Sequence, residues 1–124
     1  MNDCSILLVD DFPGWRDQLR SLLKTRPEWN IIAEASNGKE AIEKATTTQP
    51  DIILLDVGLP FVNGIEAARI IRQKCPNTSV IFVNQQNDSD IKEAAIGTGA
   101  VNYILKTNVC YDLVNAISGA LNHH

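Results

Sequence analysis

Several features are scarce in this sequence, and each absence removes a class of protein. It has only three cysteines, Cys4, Cys75 and Cys110, an odd number at wide spacing that fits neither a disulfide framework nor a paired zinc motif. They are expected as reduced thiols. Lysine and arginine number 11 against 15 acidic residues, for a net charge of −4. They are scattered, so no basic stripe exists to neutralise nucleic-acid phosphates and direct nucleic-acid contact is not expected. No apolar run approaches the roughly 20 residues that span a bilayer. Met1-Asn2-Asp3 lacks the basic start and apolar middle of a secretion signal, and a cytoplasmic location is the expectation. No Gly-x-Gly-x-x-Gly follows the first apolar run, which closes dinucleotide binding. The terminal pair His123 and His124 is weak evidence for a metal site.

What is present has the balance of a globular domain, 44% hydrophobic and 21% charged over 124 residues. A chain of this length buries roughly two-thirds of its unfolded surface, so residues 1–124 are expected to form one domain around one core. Ile6 to Val9 and Ile52 to Leu55 are continuous apolar runs, the pattern of strands covered on both faces in a parallel sheet. Ile31 to Ala35, Val80 to Val83 and Val101 to Leu105 are further strand candidates, β-branched or apolar and bounded by turn formers. Helical stripes lie between them. Trp15, Leu19, Leu22 and Leu23 follow Pro13 at helical spacing and are expected to pack on the sheet. Weaker stripes are Ala41, Ile42 and Ala45; Ala67, Ala68 and Ile71; Ile91, Ala94 and Ala95. The last runs from Leu113 to Leu121. Asn37-Gly38, Gln49-Pro50-Asp51, Asn63-Gly64, Cys75-Pro76-Asn77 and Gly97-Thr98-Gly99 separate the units. The predicted class is α/β, a (βα)5 chain with right-handed crossovers and helices on both faces of a parallel sheet.

In such sheets ligands sit beyond the carboxyl ends of the strands, where strand order reverses. The first strand ends in Asp10-Asp11, the third in Asp56, the fourth in Asn84 and the fifth in Lys106. Taken singly each has a plain explanation: an acidic pair caps helices, an aspartate forms turns, and a strand-end lysine reaches to water. Taken together they gather three carboxylates and one ammonium at one sheet edge. Like charges at such range raise one another's pKa unless a cation sits among them, and hard oxygen donors suit magnesium.

Asp10-Asp11, the Asp-x-x-x-Pro-x-x-x-Gly stretch from Asp56 to Gly64, and Gly99-Ala100-x-x-Tyr103-x-x-Lys106 together resemble the receiver domains of bacterial two-component response regulators. The resemblance covers essentially the whole chain. It implies a doubly wound, flavodoxin-like sheet of five parallel strands in the order 2-1-3-4-5. It also implies that Asp56 accepts a phosphoryl group and Asp11 ligates Mg2+ directly. Asp10 would assist through water, the Gly58 carbonyl would add a ligand, and Lys106 would contact the phosphoryl oxygens. The implied donor is a phosphohistidine on a sensor histidine kinase or phosphotransfer protein. The chain would catalyse only its own phosphorylation and dephosphorylation and is not expected to be an enzyme in the ordinary sense. The face made by helix 4, strand 5 and helix 5 would respond and form a homodimer. A DNA-binding output domain outside this chain is a further expectation.

The chain departs from the family pattern at Asn84, where most members carry Ser or Thr. Its amide still donates a hydrogen bond but is larger than a hydroxyl side chain. Asn84 is expected either to keep the phosphoryl contact or to bias the switch loop permanently. Tyr103 matches the aromatic that turns inward on activation. Gln86 lies where the family tunes loss of phosphate, its amide placed to orient a water. Thr107 stands where many members have Pro, as in members whose output domain is a helix-turn-helix. Two other readings remain. A phosphorylation-independent, receiver-like interaction domain is motivated by Asn84 and opposed by the retained acidic residues and lysine. A metal-dependent phosphatase is disfavoured because the Asp56 nucleophile stands apart from the acidic pair and no cap domain fits.

Overall fold

The computed structural model describes residues 3–122; His123 and His124 lie outside the described residues. Along the chain run β1 (Cys4–Val9), α1 (Pro13–Leu23), β2 (Trp29–Ala35), α2 (Gly38–Thr48), β3 (Ile52–Leu55), α3 (Gly64–Lys74), β4 (Ser79–Asn84), α4 (Ser89–Gly97), β5 (Asn102–Leu105) and α5 (Val109–Leu121), with a 3₁₀ turn at Lys106–Asn108. The five strands form one sheet in the order β2-β1-β3-β4-β5, and every neighbouring pair is parallel. The predicted topology is the observed one.

Successive side chains of a strand point to opposite faces, and the apolar runs divide accordingly. Leu7, Val9, Ile53, Leu55, Val80 and Phe82 belong to one buried cluster, with Ala41, Ala45, Ala67, Ala68 and Ile71 of α2 and α3. Ile6, Leu8, Ile52, Leu54, Ile81 and Val83 belong to another, with Leu19, Leu23, Leu113 and Ile117 of α1 and α5. The single core expected from chain length is thus two layers separated by the sheet, because both faces of a parallel sheet must be covered. All four residues of β3 are buried, and all four are apolar.

Local chemistry sets the helix starts. Asn37 and Asn63 accept the amide protons of Glu40 and Glu66 at 2.8 and 2.9 Å, capping α2 and α3. Asp88 accepts from Asp90 and Ile91 and caps α4. The first helix differs: its N-cap is Phe12, without a side-chain cap, and Pro13 stands in its first turn. Asp10 and Asp11 therefore do not cap α1, and the capping explanation of that pair does not hold.

Boundaries shift from the sequence expectation at the sheet margins. β1 and β2 begin at Cys4 and Trp29, which pair across the edge, earlier than their apolar runs suggest. Val101 lies outside β5, 45% exposed, although its N–H bonds to the Val80 carbonyl at 2.9 Å. Lys106 opens the 3₁₀ turn instead of ending the strand.

Candidate functional site: an acidic cleft at the strand ends

Strand order reverses between β1 and β3, the place where open α/β sheets bind ligands. Register brings the two tips together. Val9 pairs with Leu55, and the Asp56 N–H donates to the Val9 carbonyl at 3.1 Å while the Asp10 N–H donates to the Ala35 carbonyl at 3.1 Å. The next residue of each strand, Asp10 and Asp56, is thereby placed side by side. Carboxylate oxygens of Asp10, Asp11 and Asp56 lie within 4.8 Å of one another. Asp10 and Asp56 are buried, at 2% and 7% exposure, and Asp11 is exposed at the mouth.

Lys106 crosses from the far edge of the sheet. Its ammonium lies 2.7 Å from Asp10 Oδ2 and 3.8 Å from Asp56 Oδ2, and 4.9 Å from the centre of the Trp15 ring. A buried ammonium in that position has two carboxylates and an aromatic face as partners, which offsets its loss of water. The second Asp10 oxygen, Oδ1, accepts the Phe12 N–H at 2.9 Å. The Asp10 carbonyl accepts from Arg16 Nη1 at 2.5 Å, and Arg16 Nε bonds to Glu34 of β2 at 3.0 Å. Asp10 is thus fixed at its amide, carbonyl and carboxylate.

Asp56 is less well compensated. Burial pushes its carboxyl above the ordinary aspartate range. Lys106 and the Gly58 backbone N–H work against that, and the charges of Asp10 and Asp11 add to it. Its position depends on Gly64. A Cβ built on Gly64 would lie 2.0 Å from the Asp56 carbonyl oxygen and 2.8 Å from Val57 Cα, and the Gly64 N–H bonds to the Val57 carbonyl at 2.7 Å. The glycine of the Asp-x-x-x-Pro-x-x-x-Gly stretch lets the start of α3 press directly on the backbone that carries the aspartate.

On the other side of the cleft, Asn84 Nδ2 donates to the Tyr103 hydroxyl at 2.9 Å, and that hydroxyl donates to the Gln86 carbonyl at 2.9 Å. Asn84 and Tyr103 are 6% and 9% exposed, whereas Gln86 is exposed. Tyr103 is therefore turned inward and tied to the loop after β4. Gln86 takes part in this chain through its backbone.

The residues fit a hard divalent cation in kind, number and charge. Three carboxylates and one ammonium leave two net negative charges in a cleft whose donors are all oxygen. Among the described residues no other group of three His, Cys, Asp or Glu side chains offers such a set. Of the site residues predicted from the sequence, Asp10, Asp11, Asp56, Gly58, Asn84, Gln86 and Lys106 line one cleft of about 850 Å³; Tyr103 does not line it and joins through Asn84. The sequence reading missed Phe12, Trp15 and Ile91, which line the same cleft. Trp15 was expected only to pack on the sheet. It is half-buried and also meets Lys106, a contact no helical spacing reveals.

A doubly wound sheet with an acidic cleft at its reversal point and a lysine reaching in from the edge defines a flavodoxin-like α/β protein with a cation-type site. The chain belongs to the response regulator receiver domain family, whose description matches residues 6–118. It is similar to the transcriptional regulatory protein LnrK of Bacillus subtilis (strain 168), 38% identical over 112 residues, 90% of this chain and 51% of that protein. It is also similar to the crystal structure of a LuxR-family two-component response regulator from Aurantimonas sp. SI85-9A1. The identity there is 35% and the TM-score 0.91, covering 98% of this chain and 86% of that one. The crystal structure of the response regulator domain of Thermotoga maritima CheB gives 32% identity and a TM-score of 0.89, with 96% of each chain covered. The chain spans about half the length of the curated relatives it matches. Among the described residues no helix is long and apolar enough to cross a membrane.

Proposed function

We propose that the chain is a phosphoacceptor signalling module in which Asp56 receives a phosphoryl group from a phosphohistidine donor. The observation that carries this is the gathering of the Asp10, Asp11 and Asp56 carboxylates within 4.8 Å, with Lys106 at 3.8 Å from Asp56. Phosphoryl transfer asks a protein mainly for in-line positioning and charge neutralisation, and the cleft offers both. Asp56 supplies the attacking oxygen from the end of a fully buried strand. Lys106, a compact point charge, answers the negative charge brought by the incoming oxygens. Asp11 and Asp56, with the Gly58 carbonyl, would hold Mg2+, with Asp10 assisting through water. The ion would neutralise both nucleophile and phosphoryl oxygens.

Asn84 and Tyr103 form the proposed switch pair. The Asn84 amide is committed to the Tyr103 hydroxyl, which supports a loop biased toward the inward pose. Gln86 is proposed to tune loss of phosphate through its exposed side chain. The responsive surface is α4, β5 and α5, where Ile96, Val101 and Tyr111 are 42%, 45% and 81% exposed; a homodimer through that face is proposed. The similarity to proteins named as transcriptional regulators supports an output domain that binds DNA, and a cytoplasmic setting accompanies that reading. Turnover is confined to the chain's own phosphorylation and dephosphorylation.

Intact mass after incubation with Mg2+ and acetyl phosphate tests the reading. Wild type gains one phosphoryl group and Asp56→Asn gains none. Equal labelling of both overturns Asp56 as the acceptor, and labelling of neither overturns the reading in favour of an interaction domain that does not use phosphate.

A further inference from the structure

Phe12 presents a large aromatic side chain to solvent, 59% exposed, although it directly follows the acidic pair and lines the cleft. Folding does not explain it. Its backbone is held firmly: the N–H is on Asp10 Oδ1 at 2.9 Å, and the carbonyl accepts from Trp15 and Arg16 at 3.1 and 3.3 Å. A Cβ on Gly14 would meet Phe12 Cε2 at 2.7 Å, so the ring lies close over the first turn of α1. Trp15 lines the same cleft, half-buried, with Lys106 against its ring. The cleft, at about 850 Å³, is far larger than one ion and one phosphoryl group require, and Phe12 and Trp15 furnish its aromatic wall.

We infer that Phe12, with Trp15, forms a recognition wall for the leaving group of the phosphodonor, one that favours a planar nitrogen heterocycle over an acyl group. The inference rests on Asp56 being the phosphoacceptor. Asp56 lies at the floor, so a donor reacting in line directs its leaving group toward the cleft mouth. In the step, an Asp56 carboxylate oxygen bonds to phosphorus and the P–N bond of a phosphoimidazole breaks. The electron pair stays on the ring nitrogen. The other ring nitrogen already carries a proton, and neutral imidazole departs. With acetyl phosphate the broken bond is P–O and acetate leaves. An aromatic ring gains contact with a flat π-face that acetate does not, so the wall discriminates between the two.

The test measures second-order labelling rates of Asp56 by intact mass, with phosphoimidazole and with acetyl phosphate, in Mg2+. In Phe12→Ala the phosphoimidazole to acetyl phosphate rate ratio falls by about three- to tenfold, the range that loss of one aromatic contact produces. Phe12→Tyr keeps the ratio within about twofold of wild type. An unchanged ratio in Phe12→Ala overturns the inference while leaving Asp56 as acceptor, whether both rates hold or both fall together. So does a Phe12→Tyr variant that behaves like Phe12→Ala. Failure of wild type to label with either donor overturns the phosphoacceptor reading itself, and the inference with it.

Discussion

The Lys106 ammonium sits closer to Asp10, at 2.7 Å, than to Asp56, at 3.8 Å. The pair links the two outermost contributors to the cleft, one from the tip of β1 and one from the turn after β5. It holds the site together before any phosphoryl group arrives. Removing one partner of a buried pair leaves an uncompensated charge, at a cost of about 3–5 kcal/mol. Lys106→Met is therefore expected to lower the denaturation midpoint in EDTA. Three carboxylates then face one another without an ammonium, so Mg2+ raises stability more in the variant than in wild type. Denaturant titrations with and without Mg2+ check this, and a Mg2+ response smaller than that of wild type contradicts it.

Asp56 gives a pH-dependent prediction. Its carboxyl is raised in the folded state, chiefly by burial, so the charged form opposes folding. That penalty is present in full above the raised folded value and vanishes below the ordinary aspartate range, where the group is protonated folded or unfolded. Asp56→Asn is expected to be more stable than wild type at neutral pH in EDTA, with the gain lost as the solution is taken below about pH 4. Thermal melts at several pH values measure it.

Gly64→Ala is expected to impair the site without touching a carboxylate. The new methyl would overlap the Asp56 carbonyl oxygen, and relief requires α3 or the Asp56 backbone to move. Overpacking of this sort costs about 1–3 kcal/mol. Labelling by acetyl phosphate should fall by at least tenfold, with the circular dichroism spectrum retained. Wild-type labelling would show that the close approach of α3 to Asp56 is unimportant.

The Tyr103 hydroxyl joins Asn84 to the Gln86 carbonyl, so their contributions are expected to be coupled. Tyr103→Phe leaves a buried amide donor unpaired, at about 1–3 kcal/mol. In the Asn84→Ala background the same change should cost less, with a coupling of about 1 kcal/mol in a double-mutant cycle. Additive losses would mean the hydroxyl bond carries no net energy.

Thiol reactivity is expected to separate the cysteines. Cys4 and Cys75 are buried and Cys110 is exposed, all as free thiols. Burial pushes Cys4 up to about 11 and raises Cys75 as well, so little thiolate exists to react. A thiol reagent at pH 8 should modify one group in the native protein and three after denaturation.

How much of this was legible beforehand depended on range. The strands could be read because Ile6 to Val9 and Ile52 to Leu55 are apolar at every position, which only a sheet covered on both faces requires. The carboxylates could be read because the reversal of strand order names the sheet edge where ligands bind. Lys106 was legible as a member but not in its pairing, since its preference for Asp10 depends on the 3₁₀ turn that follows β5. Trp15 and Phe12 were misjudged or overlooked because their roles come from where α1 starts. Without a capping side chain at Phe12, the carboxylate of Asp10 turns to the Phe12 amide and Lys106.

By itself the sequence determined the alternation of strands and helices, the breaks at Asn37-Gly38 and Asn63-Gly64, and the identity of the charged groups at the strand tips. Those follow from periodicity and short-range hydrogen bonding, which neighbours along the chain can dictate. Tertiary structure alone decided which carboxylate holds the ammonium, that Tyr103 points inward onto Asn84, and that an exposed phenylalanine overlooks the acidic cleft. Each depends on strands brought together by parallel crossovers, and distances of a few ångströms between residues far apart in sequence are set only when the whole sheet closes.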